Sequence, residues 1–145
     1  MEIEQNAPAV TRQERIVSAP PERVFQLLAD VAAWPEWQPH VRRSRVESGD
    51  ADGGLGTTFV WRSGGVTITS TIGQWDRPRA IGWTGRTIGT RAVHLWSLEP
   101  VGEDQTLVRT EESMSGWLPR VLTSMTRRTL EEGVRATLDA LVEAV

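Results

Sequence analysis

The stretch LPRVLTSMTRRTLEEGVRATLDALVEAV, residues 118–145, decides how the rest of the chain must be arranged. Pro119 stands at its start, where a first-turn proline is tolerated, and no proline follows. Apolar side chains recur at Leu118, Val121, Leu122, Met125, Leu130, Val134, Leu138, Leu141, Val142 and Val145, mostly three or four apart. Arg120, Arg127, Arg128, Glu131, Arg135 and Glu143 fall largely elsewhere. This spacing predicts one long helix with a single face to bury. Gly133 interrupts it at a cost of about 1 kcal/mol relative to alanine, so a close approach to the backbone is expected there. The segments upstream read as strands and short helices. The helix must lie across their sheet, and the space between is where function is expected.

Working back from the helix, residues 41–47, 57–62, 66–75, 80–86, 90–99 and 105–115 are strand-sized pieces separated by Gly-, Asp- and Pro-containing turns. Short spacing and tight turns predict an antiparallel meander. Before it, residues 11–18 read as a first strand, and Pro20 and Pro21 open a helix with Val24, Leu27, Leu28 and Val31 on one face. Asp30 can cap a second short helix ending near Trp34, because the proline-rich run from Trp34 to His40 should turn the chain. Residues 1–10 are polar and read as a flexible tail, leaving residues 11–145 as one domain. The predicted order is one strand, two helices, six strands and the long helix.

Composition narrows the chemistry. All 16 basic residues are arginine, set against 19 acidic ones for a net charge of -3, and no run of like charge points to nucleic acid or an anionic membrane as partner. The chain has no cysteine, tyrosine or lysine, which excludes disulfides, thiolate catalysis, cysteine metal ligands and lysine Schiff bases. No stretch reaches the roughly 18 apolar residues of a membrane span, and the N-terminus lacks the pattern of a signal peptide, so a cytoplasmic location without stable membrane insertion is expected. The acidic loop around Asp50 and Asp52 lacks the ligand spacing of a calcium site and reads as a solvated turn. No metal site and no cofactor are expected. Seven tryptophans among nine aromatics stand out, since indole suits the wall of a pocket for flat apolar ligands.

Strand alternation shows which polar residues share the core face. In the strand of residues 90–99 the even positions Ala92, Trp96 and Leu98 are apolar and His94 shares their face, and in residues 105–115 the even face carries Val108, Thr110, Glu112 and Met114. If the hairpin is symmetric about Glu103, His94 faces Glu112 directly, whereas a slip of two sets it against Thr110 or Met114. A buried imidazole beside a buried carboxyl is either a structural pair, a polar anchor for a ligand, or a general acid/base pair. Trp61, Trp83 and Trp96, in phase with their strands' apolar residues, would line a cavity on one concave sheet. Trp75 and Trp117 read as core or rim aromatics. His40, in a loop after Pro39, reads as a surface residue.

The order of elements and several local strings resemble the START-like (SRPBCC) superfamily of helix-grip domains, in particular the polyketide cyclase/dehydrase group. The strings are residues 19–25, residues 28–37 with Trp34-Pro35-Glu36-Trp37, residues 76–79 before Gly82-Trp83, residues 94–100, and Thr110-Glu111-Glu112-Ser113. The resemblance covers residues 11–145 and implies an α+β fold: a curved antiparallel sheet wrapped around a long C-terminal helix, with an apolar cavity between. It implies a cavity wall of Phe59, Trp61, Ile68, Ile72, Trp83, His94, Trp96, Thr110 and Glu112, with Leu122 or Met125 from the helix. The family includes lipid carriers, hormone receptors and aromatase/cyclases that guide a folded poly-ketone with polar pocket groups.

Three functions are therefore open. One is a cofactor-free binding protein for a small hydrophobic or aromatic metabolite, lipid- or polyketide-like, acting as a monomer or homodimer. Another is a cyclase, aromatase or dehydratase in which His94 moves a proton and Glu112 holds its tautomer. The third is a protein-interaction domain with a filled cavity.

Overall fold

The six turn-separated segments pair with one another in sequence. In the computed structural model, which describes residues 1–49 and 53–145, they are β2 (Val41–Ser48), β3 (Thr58–Ser63), β4 (Val66–Asp76), β5 (Ala80–Thr87), β6 (Thr90–Gly102) and β7 (Gln105–Ser115). The first strand, β1 (Ala9–Val17), joins the free edge of β7, giving one antiparallel seven-stranded sheet in the order β1-β7-β6-β5-β4-β3-β2. Asp50 and Asp52, the residues of the solvated turn, lie outside the described residues.

Because β1 and β2 occupy opposite edges, the chain between them must cross one face of the sheet. It does so through α1 (Pro21–Ala29), a 3-10 turn (Val31–Ala33) and α2 (Trp34–Trp37). Pro21 opens α1, and the 3.6-residue period turns Val24, Phe25 and Leu28 into the core. Asp30 stands at the next boundary, but its carboxylate makes no capping hydrogen bond. The prolines do not end helical structure at Trp34 as expected. Pro35 sits in the first turn of α2, where its missing N–H costs nothing, so Trp34 to Trp37 form a helical turn. That turn buries Trp34, whose indole N–H donates to the Leu28 carbonyl at 3.1 Å.

Trp34 organises the aromatic core. Phe59, Trp61 and Trp83 surround it at ring-centroid distances of 5.2, 5.3 and 5.1 Å, the first two edge-on. Such pairs each add about 0.5–1.5 kcal/mol beyond their buried area. A bulge between Ile72 and Gln74 leaves Gly73 unpaired and bends β4, and further irregularities interrupt β2 and the tip of the β6–β7 hairpin.

The C-terminal helix departs from the single helix expected. It is split into α3 (Trp117–Val121) and α4 (Thr123–Ala144), with Leu122 at φ -108°, ψ 51° between them. At the break the Thr123 hydroxyl donates to the Arg120 carbonyl at 2.9 Å, while the Leu122 carbonyl accepts both the Thr126 N–H and its hydroxyl, at 2.9 and 2.7 Å. The Thr123 hydroxyl thus takes a carbonyl that a continuous helix needs. Beyond the break, Leu130, Val134, Thr137, Leu138 and Leu141 form the buried stripe of α4. Gly133 meets no close neighbour, contrary to expectation: a Cβ there would find no atom within 4 Å.

The N-terminal segment is also more ordered than a loose tail. Ile3 is only 5% exposed, the Glu4 N–H donates to the Ser113 hydroxyl at 3.0 Å, and Ala9 already pairs with Met114. Val93 and Ser113 point to the outer face, which would otherwise be wet, and are buried there together with Ile3. None of the described helices is long and apolar enough to cross a membrane.

Candidate functional site

The helices cross one face of the sheet without filling it. A cavity of about 180 Å³ remains between that face and α4. Trp83 from β5, Trp96 from β6, Trp61 and Ile68 from the β3–β4 hairpin, and Leu28 and Trp34 from the crossing helices supply its apolar wall. Leu130 and Val134 of α4 close it from the other side, while Arg86, Thr87 and Thr90 of the β5–β6 hairpin and Thr129 and Gly133 of α4 edge its rim.

Register places the polar pair. His94 pairs with Glu112, Trp96 with Thr110 and Leu98 with Val108, the arrangement of a hairpin symmetric about Glu103. His94 Nδ1 stands 3.5 Å from Glu112 Oε2, long for a hydrogen bond, and both side chains are nearly buried. On the other side of the ring, Nε2 lies 2.8 Å from Thr110 Oγ1, and that hydroxyl donates to the Leu95 carbonyl at 3.0 Å. A threonine hydroxyl has one proton. Since it goes to Leu95, Thr110 must accept from His94 Nε2–H, and the lone pair of neutral His94 sits on Nδ1, facing Glu112.

Burial acts on both partners in the same sense. It lowers the pKa of His94 to about 3 and raises that of Glu112 to about 8. At neutral pH the imidazole is therefore uncharged, and Glu112 is a carboxylic acid that can donate a hydrogen bond. The site combines a proton donor, a lone pair and an apolar wall. Trp96 also lines the cavity, and among the described residues its buried indole N–H has no hydrogen-bond partner.

Of the residues expected at the site, Trp61, Ile68, Trp83, His94, Trp96 and Glu112 come together around this cavity. Thr110 stands behind His94 and orients it. Phe59 and Ile72 are fully buried in the core beneath the aromatic wall and do not line it. Leu122 and Met125 point away, 40% and 62% exposed, because the break at Leu122 and the phase of the buried stripe turn them from the sheet. Trp75 packs edge-on against Phe25 at 5.0 Å, and Trp117 is exposed.

His40 is not a surface residue. It lines the cavity, half-buried, with Nε2 3.4 Å from the Thr137 hydroxyl, and burial lowers its pKa. Its position follows from α2, which carries the chain back under the sheet before β2. Gln38, buried beside it, was equally hidden from sequence reasoning. Ser70 was within reach, being in phase with Ile68 on β4; its hydroxyl accepts from Trp61 Nε1–H at 3.0 Å. Among the described residues no group of three His, Asp or Glu side chains could hold a metal ion.

A bent antiparallel sheet closed by a C-terminal helix over an apolar cavity defines the START-like, helix-grip class of ligand-binding domains. Within that class the chain belongs to the polyketide cyclase / dehydrase and lipid transport family, whose model matches residues 8–145. Members of this superfamily typically bind hydrophobic ligands. Among solved structures, a hypothetical protein from Helicobacter pylori superposes with a TM-score of 0.86 at 20% identity, covering 98% of this chain and 90% of that one. A START superfamily protein from Mycobacterium smegmatis gives 0.81 at 18% identity, over 94% and 96% of the two chains. The Zhui aromatase/cyclase from Streptomyces sp. R1128 gives 0.81 at 17% identity, over 93% and 92%. At these identities the likeness is one of fold. No curated protein matches the chain.

Proposed function

We propose that this protein binds a small, uncharged, largely aromatic or hydrophobic metabolite bearing a carbonyl or hydroxyl group. The observation that carries this reading is a neutral donor–acceptor pair, Glu112 and His94, set in a cavity walled by tryptophan. Apolar burial supplies affinity at about 25 cal/mol per Å², and the pair supplies orientation. A cavity of about 180 Å³ compares with the roughly 150 Å³ that houses benzene in an engineered protein core. The buried part of the ligand is then a ring or two, and anything longer extends through the rim.

Mass spectrometry of small molecules extracted from the purified protein, beside a His94→Ala, Glu112→Gln double variant, tests the proposal. A neutral aromatic species retained by the wild type and missing from the variant is expected. Failure of both to retain any species, together with no binding of a neutral probe such as 1-naphthol, overturns it.

One observation favours catalysis on the same site: Glu112 holds a proton while His94 Nδ1 offers a lone pair 3.5 Å away. That is the complement a cyclase or dehydratase needs to protonate an oxygen and deprotonate a neighbouring carbon. His94→Ala separates the two readings, because it weakens binding modestly in a carrier and abolishes turnover in an enzyme.

A further inference from the structure

The cavity has a second polar end. His40 stands directly before β2, at the sheet edge opposite β1, whereas His94 lies on β6, four strands away from β2. The curved sheet brings both into the wall of one cavity. The His40 carbonyl accepts the Gly64 N–H at 3.2 Å, which pins this side of the wall to the β3–β4 turn. Indoles run between the two ends: His94, Trp83 and Trp34 follow one another at ring-centroid distances of 5.3 and 5.1 Å. Trp34 opens the α2 turn and Gln38 closes it, the Gln38 N–H donating to the Trp34 carbonyl at 2.8 Å.

His40 is oriented in the same way as His94. The Thr137 hydroxyl donates its one proton to the Gly133 carbonyl at 3.1 Å. Towards His40 Nε2, 3.4 Å away, it can then only accept, which leaves the imidazole lone pair on Nδ1. Burial lowers the His40 pKa, so the ring is uncharged at neutral pH and the lone pair is available. Gln38 lines the same cavity at 4% exposure, and among the described residues its side-chain amide has no hydrogen-bond partner. An amide so deeply buried is costly to leave unmet. A lone pair beside an amide N–H is the complement of a hydroxyl, which gives one proton and accepts another.

Resting on the reading that the cavity holds a neutral aromatic metabolite, we infer that this metabolite carries oxygen at two opposite ends: one oxygen held by Glu112 and His94, and a hydroxyl held by His40 Nδ1 and the Gln38 amide. The rings between them lie along Trp83 and Trp34. A ligand with a single oxygen leaves one of the two polar ends without a partner. A carboxylate at the His40 end would meet the Nδ1 lone pair with a negative charge, so the second group is a hydroxyl rather than an acid.

Titration calorimetry with 2-naphthol and with 1,5-, 2,6- and 2,7-dihydroxynaphthalene tests this. At least one diol is expected to bind about tenfold tighter than 2-naphthol, the gain from one well-made hydrogen bond to a buried group. In Q38L/H40F that advantage should vanish, the affinities for the diol and for 2-naphthol converging. Gln38→Leu and His40→Phe alone should each lose part of it, which preserves the test where the double variant fails to fold. Two results overturn the inference while leaving the neutral-ligand reading in place: 2-naphthol binds the wild type and no diol binds tighter, or a variant that still binds 2-naphthol keeps the full preference for the diol. Absence of binding of all four compounds to the wild type overturns both.

Discussion

His94 and Thr110 form a one-way hydrogen bond: Nε2–H donates at 2.8 Å to a hydroxyl whose only proton is already committed to the Leu95 carbonyl. This contact fixes the tautomer of a buried imidazole and so decides what Glu112 faces. It also yields the first prediction. Thr110→Val strands the Nε2–H donor or reverses the tautomer, and should cost about 1–3 kcal/mol in chemical denaturation. Thr110→Ser should keep both stability and tautomer, as read from the imidazole nitrogen shifts in NMR. An unaltered tautomer in the valine variant would refute the assignment.

The pair gives stability a defined pH dependence. Glu112, raised from 4.5 to about 8, favours the folded state fully below pH 4.5 and loses that contribution as pH rises to about 8. His94, lowered from 6.5 to about 3, contributes fully above pH 6.5 and loses its part as pH falls to about 3. The two slopes cancel between pH 4.5 and 6.5, so the pair produces a plateau there and a decline on either side. Glu112→Gln should remove the alkaline decline between pH 6.5 and 8, an effect on the order of 1–2 kcal/mol, and move the maximum above pH 6.5. Melting temperatures across pH for the two proteins measure this directly.

Gly133 edges the cavity with open space where a side chain would stand. Gly133→Ala should raise stability by up to about 1 kcal/mol through helix propensity. Gly133→Leu should keep the fold while obstructing the mouth, reducing uptake of a neutral aromatic probe by at least about tenfold. Equal probe affinity in the leucine variant would show that ligands enter elsewhere.

Ile3 ties the N-terminal segment to the outer face of the sheet. Ile3→Ala should cost about 2–5 kcal/mol, the range for truncating a buried isoleucine. A change near zero in urea denaturation would restore the loose tail that the polar sequence suggests.

Much of this architecture is written in local patterns. Period-two alternation and turn residues locate all seven strands to within a few positions, and parity alone places His94 and Glu112 on the core face. Parity narrows the β6–β7 register to steps of two, and the structure takes the one symmetric about Glu103. The helical stripe at Leu130, Val134, Leu138 and Leu141 is equally plain. The less legible features arise where several weak signals compete. The Thr123 hydroxyl takes the Arg120 carbonyl where the helix breaks at Leu122. Pro35, a terminator in most settings, becomes a tolerated first-turn residue.

The sequence by itself determined the order of strands and helices and the burial of an imidazole and a carboxyl on one face, because these depend on periodicities of two and 3.6 residues, and its resemblance to a known family supplied the helix-grip architecture. Only the tertiary structure decided that Thr110 fixes the His94 tautomer, that His40 lines the cavity, that Phe59 and Ile72 lie behind its wall, and that Leu122 and Met125 face solvent. Those outcomes depend on how far a helix rotates and which of two neighbouring acceptors a single proton reaches. Such choices are made by packing between segments distant in the chain, which local spacing does not encode.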